Sequence, residues 1–227
     1  MRAVIFDMDG VIFDSERVIC DLWIEYAKEA GLEGVDTLIY RCIGITDVAT
    51  MGLFKEQFGE DFDYRMHKQV ISKRFHEKYD GGKLPTKPGI RELLDFLKEQ
   101  GVVTALASST RKPVVEMELG DAGLLDYFDL VVGGDMVSRS KPDPEIFLLA
   151  ADEMEKAGLV SEEFGKDKKN YFVIEDSFNG IRAAYAAGMM PIMVPDLLEP
   201  DDEIKGLCHK LFDSLFDVKE YFEEMNH

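Results

Sequence analysis

The chain has 227 residues, of which 46% are hydrophobic and 31% are charged, and its formal net charge is −19. This length favours one main domain with a smaller addition, and the acidic balance argues against nucleic acid or an anionic membrane as the main partner. No apolar run approaches the roughly 20 residues that a transmembrane helix needs, and we find no basic-then-apolar leader at the start of the chain.

The first predicted element is a short apolar strand over residues 3–6 that ends at two carboxylates. Asp7 and Asp9 follow the strand, and Gly10 permits a tight turn there. Two carboxylates at this spacing repel each other unless a cation or a proton lies between them. The pattern therefore indicates a divalent-metal site with a carboxylate nucleophile and a general acid/base. One such pair is weak evidence alone, because acidic residues are common in loops.

A long helical segment follows this strand. The helical patterns cover residues 16–30, 46–58 and 64–79, and residues 15–80 hold no convincing strand. The stretch from Asp80 to Gly89 is rich in glycine and proline, which is typical of a linker. We therefore expect residues 15–87 to form a helical cap domain, inserted into a catalytic core made of residues 1–14 and 88–227.

Beyond the linker, helices and strands alternate along the chain. Helices are predicted over residues 90–99, 112–119, 144–157 and 178–187, and strands over 102–107, 130–132, 171–174 and 191–194. Nearly continuous apolar strands in this rhythm predict an α/β fold with a doubly wound parallel sheet. Such sheets bind ligands beyond the carboxyl ends of their strands, where an inserted cap can exclude water. The sequence leaves open where a last helix, near residues 214–224, packs.

The later strands also lead to polar residues. Ser108 and Ser109 follow the second strand, Lys141 follows the third, and Glu175 and Asp176 end the fourth. Each motif alone has an ordinary interpretation as a helix cap or a solvated side chain. Because the carboxyl ends of parallel strands meet at one edge of the sheet, their combination with the first strand makes coincidence a poor explanation.

In these motifs the chain resembles the haloacid dehalogenase superfamily, in the branch with an α-helical cap inserted after the first motif. Within that branch it is similar to the β-phosphoglucomutase-like phosphatases, and the resemblance covers essentially the whole chain. The matching motifs are Asp7-Met8-Asp9-Gly10-Val11, Ser108, Lys141 with its Lys-Pro-Asp-Pro run, and Glu175-Asp176-Ser177-Phe178-Asn179-Gly180.

The resemblance implies a Mg²⁺-dependent phosphomonoesterase that forms an aspartyl-phosphate. Asp7 would be the nucleophile and Asp9 the general acid/base, while Ser108 and Lys141 hold the phosphoryl oxygens and the backbone near Ser109 adds to this cradle. The implied ligands of Mg²⁺ are Asp7, the backbone carbonyl of Asp9, and Asp176, with Glu175 as an outer or additional ligand. Carbon–halogen cleavage is set aside, because the dehalogenases of the superfamily lack the second aspartate.

The cap loop bears on the choice between phosphatase and mutase. Gly44, Thr46 and Asp47 lie in this loop and are candidate substrate-binding residues. True β-phosphoglucomutases carry an arginine where this chain has Asp47, and a histidine where it has Ile19. An acidic residue that faces a phosphate opposes its binding, which favours a substrate with one phosphate and a neutral or cationic remainder. The alternative is that Thr46 or Asp47 only caps a helix.

Two other functional classes are possible on this fold. Receiver domains also gather acids, hydroxyls and a lysine around Mg²⁺, but their acid pair and their acceptor aspartate lie on different strands. A non-catalytic interaction protein would not be expected to retain Asp7, Asp9, Lys141 and Asp176 together. We therefore predict hydrolysis of a small phosphorylated metabolite, either a sugar phosphate or a nucleotide-like monophosphate, with a sugar-phosphate mutase as the alternative.

The predicted surroundings are those of a cytoplasmic enzyme. Its three cysteines have no metal spacing and its four histidines form no ligand motif, which favours reduced thiols and argues against a zinc enzyme. The expected partner is the small phosphorylated metabolite, with Mg²⁺ as cofactor and neither nucleic acid nor membrane. The oligomeric state is open, and a monomer is the simplest expectation.

Overall fold

The computed structural model describes residues 3–225, and within them six parallel strands form one sheet. The strands are β1 (Ala3–Phe6), β2 (Thr104–Ala107), β3 (Leu130–Val132), β4 (Tyr171–Glu175), β5 (Met190–Met193) and β6 (Lys210–Leu211). Their spatial order is β3-β2-β1-β4-β5-β6, so the chain crosses over β1 to build the second half of the sheet. The predicted doubly wound α/β fold is confirmed. The sixth strand was not predicted, because its two residues are too few to give a pattern.

Eleven α-helices of the described chain surround or extend this sheet. Between β1 and β2 lie α1 (Ser15–Ala30), α2 (Val35–Leu38), α3 (Asp47–Phe58), α4 (Tyr64–Tyr79) and α5 (Ile90–Glu99). The others are α6 (Lys112–Asp121), α7 (Glu145–Lys156), α8 (Glu162–Gly165), α9 (Phe178–Ala186), α10 (Asp202–Leu207) and α11 (Leu215–Met225). Short 3₁₀ turns connect some of them. No helix within residues 3–225 is long and apolar enough to cross a membrane.

The sheet is covered on both faces, as its apolar strands require. Alternate residues of β1 point to opposite faces, so that Phe6 joins one apolar cluster and Ile5 joins the other. Both side chains are fully buried. Helix α11 completes one face, because Phe222 packs on Phe172 of β4 with ring centroids 5.1 Å apart. The structure thereby places the last helix against the sheet.

Register brings the chemically important positions together. Phe6 of β1 is aligned with Leu106 of β2 on one side and with Ile174 of β4 on the other. Asp7, which directly follows β1, therefore lies beside Glu175, the last residue of β4. All three central strands end at the same level, which fixes the position of the site at this edge.

We term α1–α4 the cap helices. The segment of the chain that contains them has no strand of the sheet. They share an aromatic centre in which Trp23 and Tyr64 stack 6.0 Å apart around the fully buried Phe54. Two neighbouring chain segments connect the cap helices to the sheet. They are hydrogen-bonded to each other, since the Asp14 N–H donates to the carbonyl of Pro85 and the Lys87 N–H donates to the carbonyl of Ile12. That the segment 15–87 is a separate cap domain stays a prediction.

Candidate active site

The turn after β1 brings two carboxylates to the edge of the sheet. Asp7 is 7% exposed and its N–H still donates to Ile174 of β4, at 3.0 Å. Gly10 then reverses the chain with a φ of +78°. A Cβ atom at Gly10 would lie 2.1 Å from Oδ2 of Asp176, so only glycine permits this approach. The predicted role of Gly10 as a turn residue is therefore joined by a second one, which is to leave room for Asp176.

Lys141 is the buried cation of the site. Its ammonium donates to Asp7 at 2.5 Å, to Glu175 at 2.7 Å and to the carbonyl of Ala107 at 3.3 Å. The side chain is 7% exposed and lies over the ring of Phe147, 4.9 Å from its centroid. Burial lowers the pKa of Lys141, but its two carboxylate partners raise it above the usual value for lysine. Lys141 is therefore a fixed positive charge.

The junction of β4 and α9 fixes Glu175. This carboxylate is fully buried, with Oε1 on Lys141 and Oε2 accepting from the N–H groups of Asp176 and Ser177 and from the Ser177 hydroxyl. Ser177 also caps α9 by accepting from the N–H of Gly180. With this many donors, Glu175 holds Lys141 and the start of α9 in place.

Asp7, Glu175 and Asp176 form an acidic cluster whose oxygen atoms lie within 4.8 Å of one another. Burial raises the pKa of Asp7 and of Asp176 well above the ordinary value, and the neighbouring carboxylates raise both further. Lys141 opposes this rise at Asp7 but does not cancel it. Buried oxygen donors with excess negative charge are the ligand set that Mg²⁺ prefers, so these residues fit a divalent cation.

Asp9 lies beside this cluster and is held by two hydroxyl groups. Ser15, at the start of α1, donates to Oδ1 at 2.6 Å, and Thr110 donates to Oδ2 at 3.3 Å. The first hydroxyl comes from the cap helices and the second from the loop after β2. The carboxylate of Asp9 is therefore oriented from both sides.

The loop after β2 provides the predicted hydroxyl pair. Ser108 is 1% exposed, and its oxygen accepts the N–H of Thr110 at 3.0 Å. Ser109 is exposed beside it. Gly134 packs against this loop so closely that a Cβ there would lie 2.1 Å from the carbonyl of Ser109. The hydroxyl of Ser108 is therefore buried within this loop, and the roles of both serines at the site stay predictions.

A cavity of about 500 Å³ opens between the cap helices and the site. Gly44 and Thr46 line it from the cap side, and Asp176 and Asn179 line it from the sheet side. The side-chain amide of Asn179 donates to the carbonyl of Gly44 at 3.1 Å, which connects the two walls. Two of the predicted substrate-binding residues therefore lie at a cavity that reaches the acidic cluster.

Asp47 lies elsewhere. Its carboxylate is 59% exposed and is bonded to Lys68 and Tyr64 of the cap helices. The hydrogen bond from Lys68 holds the pKa of Asp47 below its ordinary value. Thr46 is the residue that caps α3, by accepting the N–H of Ala49. The structure thus gives Asp47 two partners away from the cavity, and we do not include it in the proposed site.

The sequence interpretation gave no individual role at this site to four residues: Ser15, Glu16, Thr110 and Asn179. Glu16 lines the cavity, and burial together with the charges of Asp9 and Asp196 raises its pKa to about 7. Asn179 lies within the last motif and Thr110 lies next to Ser108 and Ser109, while Ser15 and Glu16 lie a few residues after the first motif. Nothing in one sequence shows which face of α1 meets the site.

Comparison with known proteins places these motifs in a family. A sequence profile described as haloacid dehalogenase-like hydrolase matches residues 4–194. A phosphorylated carbohydrates phosphatase of Thermotoga maritima is 33% identical over 221 residues, which cover 94% of this chain and 88% of that protein. Hexitol phosphatase B of Escherichia coli is 29% identical over 201 residues, covering 85% and 83%.

Solved structures agree on the fold. A crystal structure of a candidate β-phosphoglucomutase from Thermotoga maritima has a TM-score of 0.75 and 30% identity, with 99% of each chain covered. A second structure, of a family hydrolase from Deinococcus radiodurans with bound phosphate and sodium, has a TM-score of 0.78 and 25% identity, covering 99% of this chain and 96% of that one.

Proposed function

The chain belongs to the haloacid dehalogenase-like hydrolase family, and on this premise we propose that it is a Mg²⁺-dependent phosphomonoesterase of small phosphorylated metabolites. The observation that carries the proposal is the buried arrangement of Asp7, Lys141, Glu175 and Asp176 at the edge of the sheet, with Asp9 beside it. Relatives named as carbohydrate and hexitol phosphatases support the same substrate class.

Asp7 and Asp176, with the backbone carbonyl of Asp9, would bind the cation. Glu175 would be an outer or additional ligand. Bound Mg²⁺ would offset negative charge on the phosphoryl oxygens and between the carboxylates. Lys141 and the Ser108 hydroxyl supply the remaining positive charge and hydrogen bonding for those oxygens.

Asp7 carries out the first chemical step. Its carboxylate oxygen attacks phosphorus as the ester P–O bond breaks, and Asp9 gives a proton to the departing alkoxide. The products are an aspartyl-phosphate at Asp7 and a free alcohol. The hydroxyls of Ser15 and Thr110, which donate to the two oxygens of Asp9, would orient it for this proton transfer.

Asp9 then acts in the opposite direction. It accepts a proton from water, whose oxygen attacks the phosphorus atom of the aspartyl-phosphate. The bond between phosphorus and the Asp7 oxygen breaks, and inorganic phosphate leaves. The carboxylate of Asp7 and the protonated Asp9 are thereby restored for the next cycle.

A sugar-phosphate mutase is the second candidate, because a candidate β-phosphoglucomutase is among the similar structures. A mutase would use the same aspartyl-phosphate but must also hold a second phosphate away from Asp7. Ile19 and Asp47 both depart from the mutase pattern, so we favour the phosphatase.

The proposal includes a cytoplasmic location. The three cysteines of the described chain are free thiols, which is consistent with that location.

The test is phosphate release from a panel of sugar phosphates, nucleoside monophosphates and phosphoglycolate, with Mg²⁺ and with EDTA. We expect Mg²⁺-dependent release from one or a few compounds. The same assay with β-glucose 1-phosphate would monitor glucose 6-phosphate. Its formation without free phosphate would mean that the enzyme is a mutase, and no turnover of any phosphomonoester would refute the proposed function.

A further inference from the structure

The cavity beside the acidic cluster has a distinct chemical lining. Its cap wall is partly apolar, with Ile43 and Ile45, and Leu198 faces them from the sheet side. At about 500 Å³ it has the size of a small-ligand pocket. Because Asp176 of the acidic cluster also lines this cavity, the alcohol portion of a substrate whose phosphoryl group lies at the cluster has this cavity beside it.

Glu16 places a carboxylate in this lining. It is half-buried, and within residues 3–225 no side chain or backbone group forms a hydrogen bond or ion pair with that carboxylate. One of its oxygens lies within 4.8 Å of oxygens of Asp176 and Asp196. An acceptor that lines a cavity and has no protein partner is available to a ligand that donates hydrogen bonds there.

The other charges at the cavity do not balance Glu16. Arg182 lines the cavity, but its guanidinium is paired with both oxygens of Glu203, at 2.9 and 3.1 Å. Lys87 and Arg17 lie nearby and are engaged by Asp196, at 2.6 and 3.4 Å. The charge that the cavity presents to an incoming alcohol is therefore acidic. A second phosphate would be repelled there, while hydroxyl or ammonium donors would be bound.

We propose that Glu16 is a specificity-determining residue that accepts hydrogen bonds from hydroxyl groups of the alcohol portion of the substrate. The substrate class is accordingly a polyol or sugar monophosphate without a second anionic group. This inference rests on the proposed function, since it assumes that the phosphoryl group lies at Asp7.

The experiment compares two substrates with the same number of carbons, a hexitol 6-phosphate and n-hexyl phosphate, which differ in their hydroxyl groups. In Glu16→Met the side chain keeps its length but loses the acceptor. At pH 8 with Mg²⁺, we expect the ratio of kcat/KM for the hexitol phosphate to that for hexyl phosphate to fall at least tenfold, as a lost charged hydrogen bond implies. Glu16→Gln should give an intermediate ratio.

Glu25→Met is the matched control, because Glu25 lies on the exposed side of the same helix. It should retain the wild-type ratio. A third substrate, fructose 1,6-bisphosphate, should be hydrolysed poorly by the wild type and better, relative to fructose 6-phosphate, by Glu16→Gln.

Two results would overturn the inference. An unchanged ratio in Glu16→Met would mean that Glu16 does not contact the alcohol. Equal losses on both substrates, restored by higher Mg²⁺ concentration, would mean that Glu16 serves the metal through Asp176. Failure of the proposed function is distinguished by the wild type, which would then hydrolyse neither compound.

Discussion

Lys141 is the residue on which the charge balance of the site depends. It is a single buried ammonium next to Asp7 and Glu175, and Asp176 adds a third carboxylate within 4.8 Å. One positive charge among three negative ones leaves the metal-free site with an excess of negative charge. The pKa of Asp7 is raised for this reason. Burial and the neighbouring carboxylates oppose the ionisation of Asp7 more than Lys141 favours it.

Replacement of the nucleophile therefore has two expected effects. Asp7→Asn should lower turnover by more than about 10⁴-fold, because an amide does not form the aspartyl-phosphate. It should also raise the free energy of unfolding of the metal-free protein at pH 7.5. A carboxyl group whose folded pKa lies above its unfolded value destabilises the folded state at every pH above that unfolded value, and the neutral amide removes this effect.

Phosphate release and urea unfolding in EDTA measure the two effects. The control is Asp213→Asn, which changes an exposed aspartate that is not part of the acidic cluster and should leave both quantities unchanged. Substantial residual turnover would remove Asp7 from the nucleophile role. A lower free energy of unfolding would mean that the ion pair with Lys141 outweighs the repulsion.

Ser15 provides a second test at the residue scale, through Asp9. Asp9→Asn should slow turnover by roughly 10²-fold or more, because proton transfer to the leaving group is lost. Ser15→Ala leaves Asp9 in place but removes the 2.6 Å hydrogen bond that orients it, and we expect a loss in kcat of about 3- to 30-fold. In the Asp9→Asn background the Ser15 change should have little further effect. Independent, multiplying losses in this double-mutant cycle would contradict the positioning role.

At the scale of elements, the junction between β4 and α9 shows how the sheet and a helix cooperate. Glu175 ends the strand and Ser177 caps the helix, and the two side chains are hydrogen-bonded to each other at 2.9 Å. Gly180 lies in the first turn of α9, directly against this carboxylate. A Cβ at Gly180 would lie 1.8 Å from Oε1 of Glu175, which is the oxygen that binds Lys141.

Gly180→Ala should consequently damage both stability and catalysis. We expect a loss of about 1–3 kcal/mol in the free energy of unfolding, which is typical of overpacking, and at least a tenfold loss of kcat as Lys141 is displaced. Gly52→Ala is the matched control, because Gly52 lies inside α3 and, apart from its chain neighbours and the nearby helix backbone, no atom lies within 4 Å of its added Cβ. That change should stabilise the protein by about 0.5–1 kcal/mol. Equal effects of the two substitutions would refute the argument.

At the scale of the whole molecule, the cap helices and the sheet meet around the site at several points. Asn179 connects to Gly44 on the cavity side. On another side Glu118 of α6 lies in a cleft with Phe75 and Tyr79 of α4. Burial there, together with the charge of Asp9, raises the pKa of Glu118 to about 7. A neutral Glu118 therefore favours this contact between cap helices and core.

This shift predicts a pH dependence of stability. The folded pKa of Glu118 lies above its ordinary value, so its stabilising contribution is complete below about pH 4.5 and is lost as pH rises through about 7. Glu118→Gln retains a neutral side chain at every pH. We expect it to exceed the wild type by about 1–2 kcal/mol in the free energy of unfolding at pH 8, less than a fully buried group would give, and to match it near pH 5. A difference that is the same at pH 5 and pH 8 would contradict this assignment.

The sequence by itself determined the family, the order of the longer elements and the residues at the strand ends. Asp7, Ser108 and Glu175 could be placed together in advance because parallel strands in register must end at one edge. Boundaries of the longer elements were also recoverable, since their apolar periodicity extends over several turns. The two-residue strand β6 was not, because it has no periodicity to detect.

Only the tertiary structure decided which side chains face the substrate cavity. Asp47 and Lys68 are 21 residues apart in the chain and Gly44 and Asn179 are 135 apart, so their pairing depends on how the helices fold back and pack. The same holds for Glu16, whose direction is set by the rotation of α1 against the sheet edge. A strand end fixes a residue's position through backbone hydrogen bonds, whereas the outward face of a helix is chosen by packing contacts that no local pattern encodes.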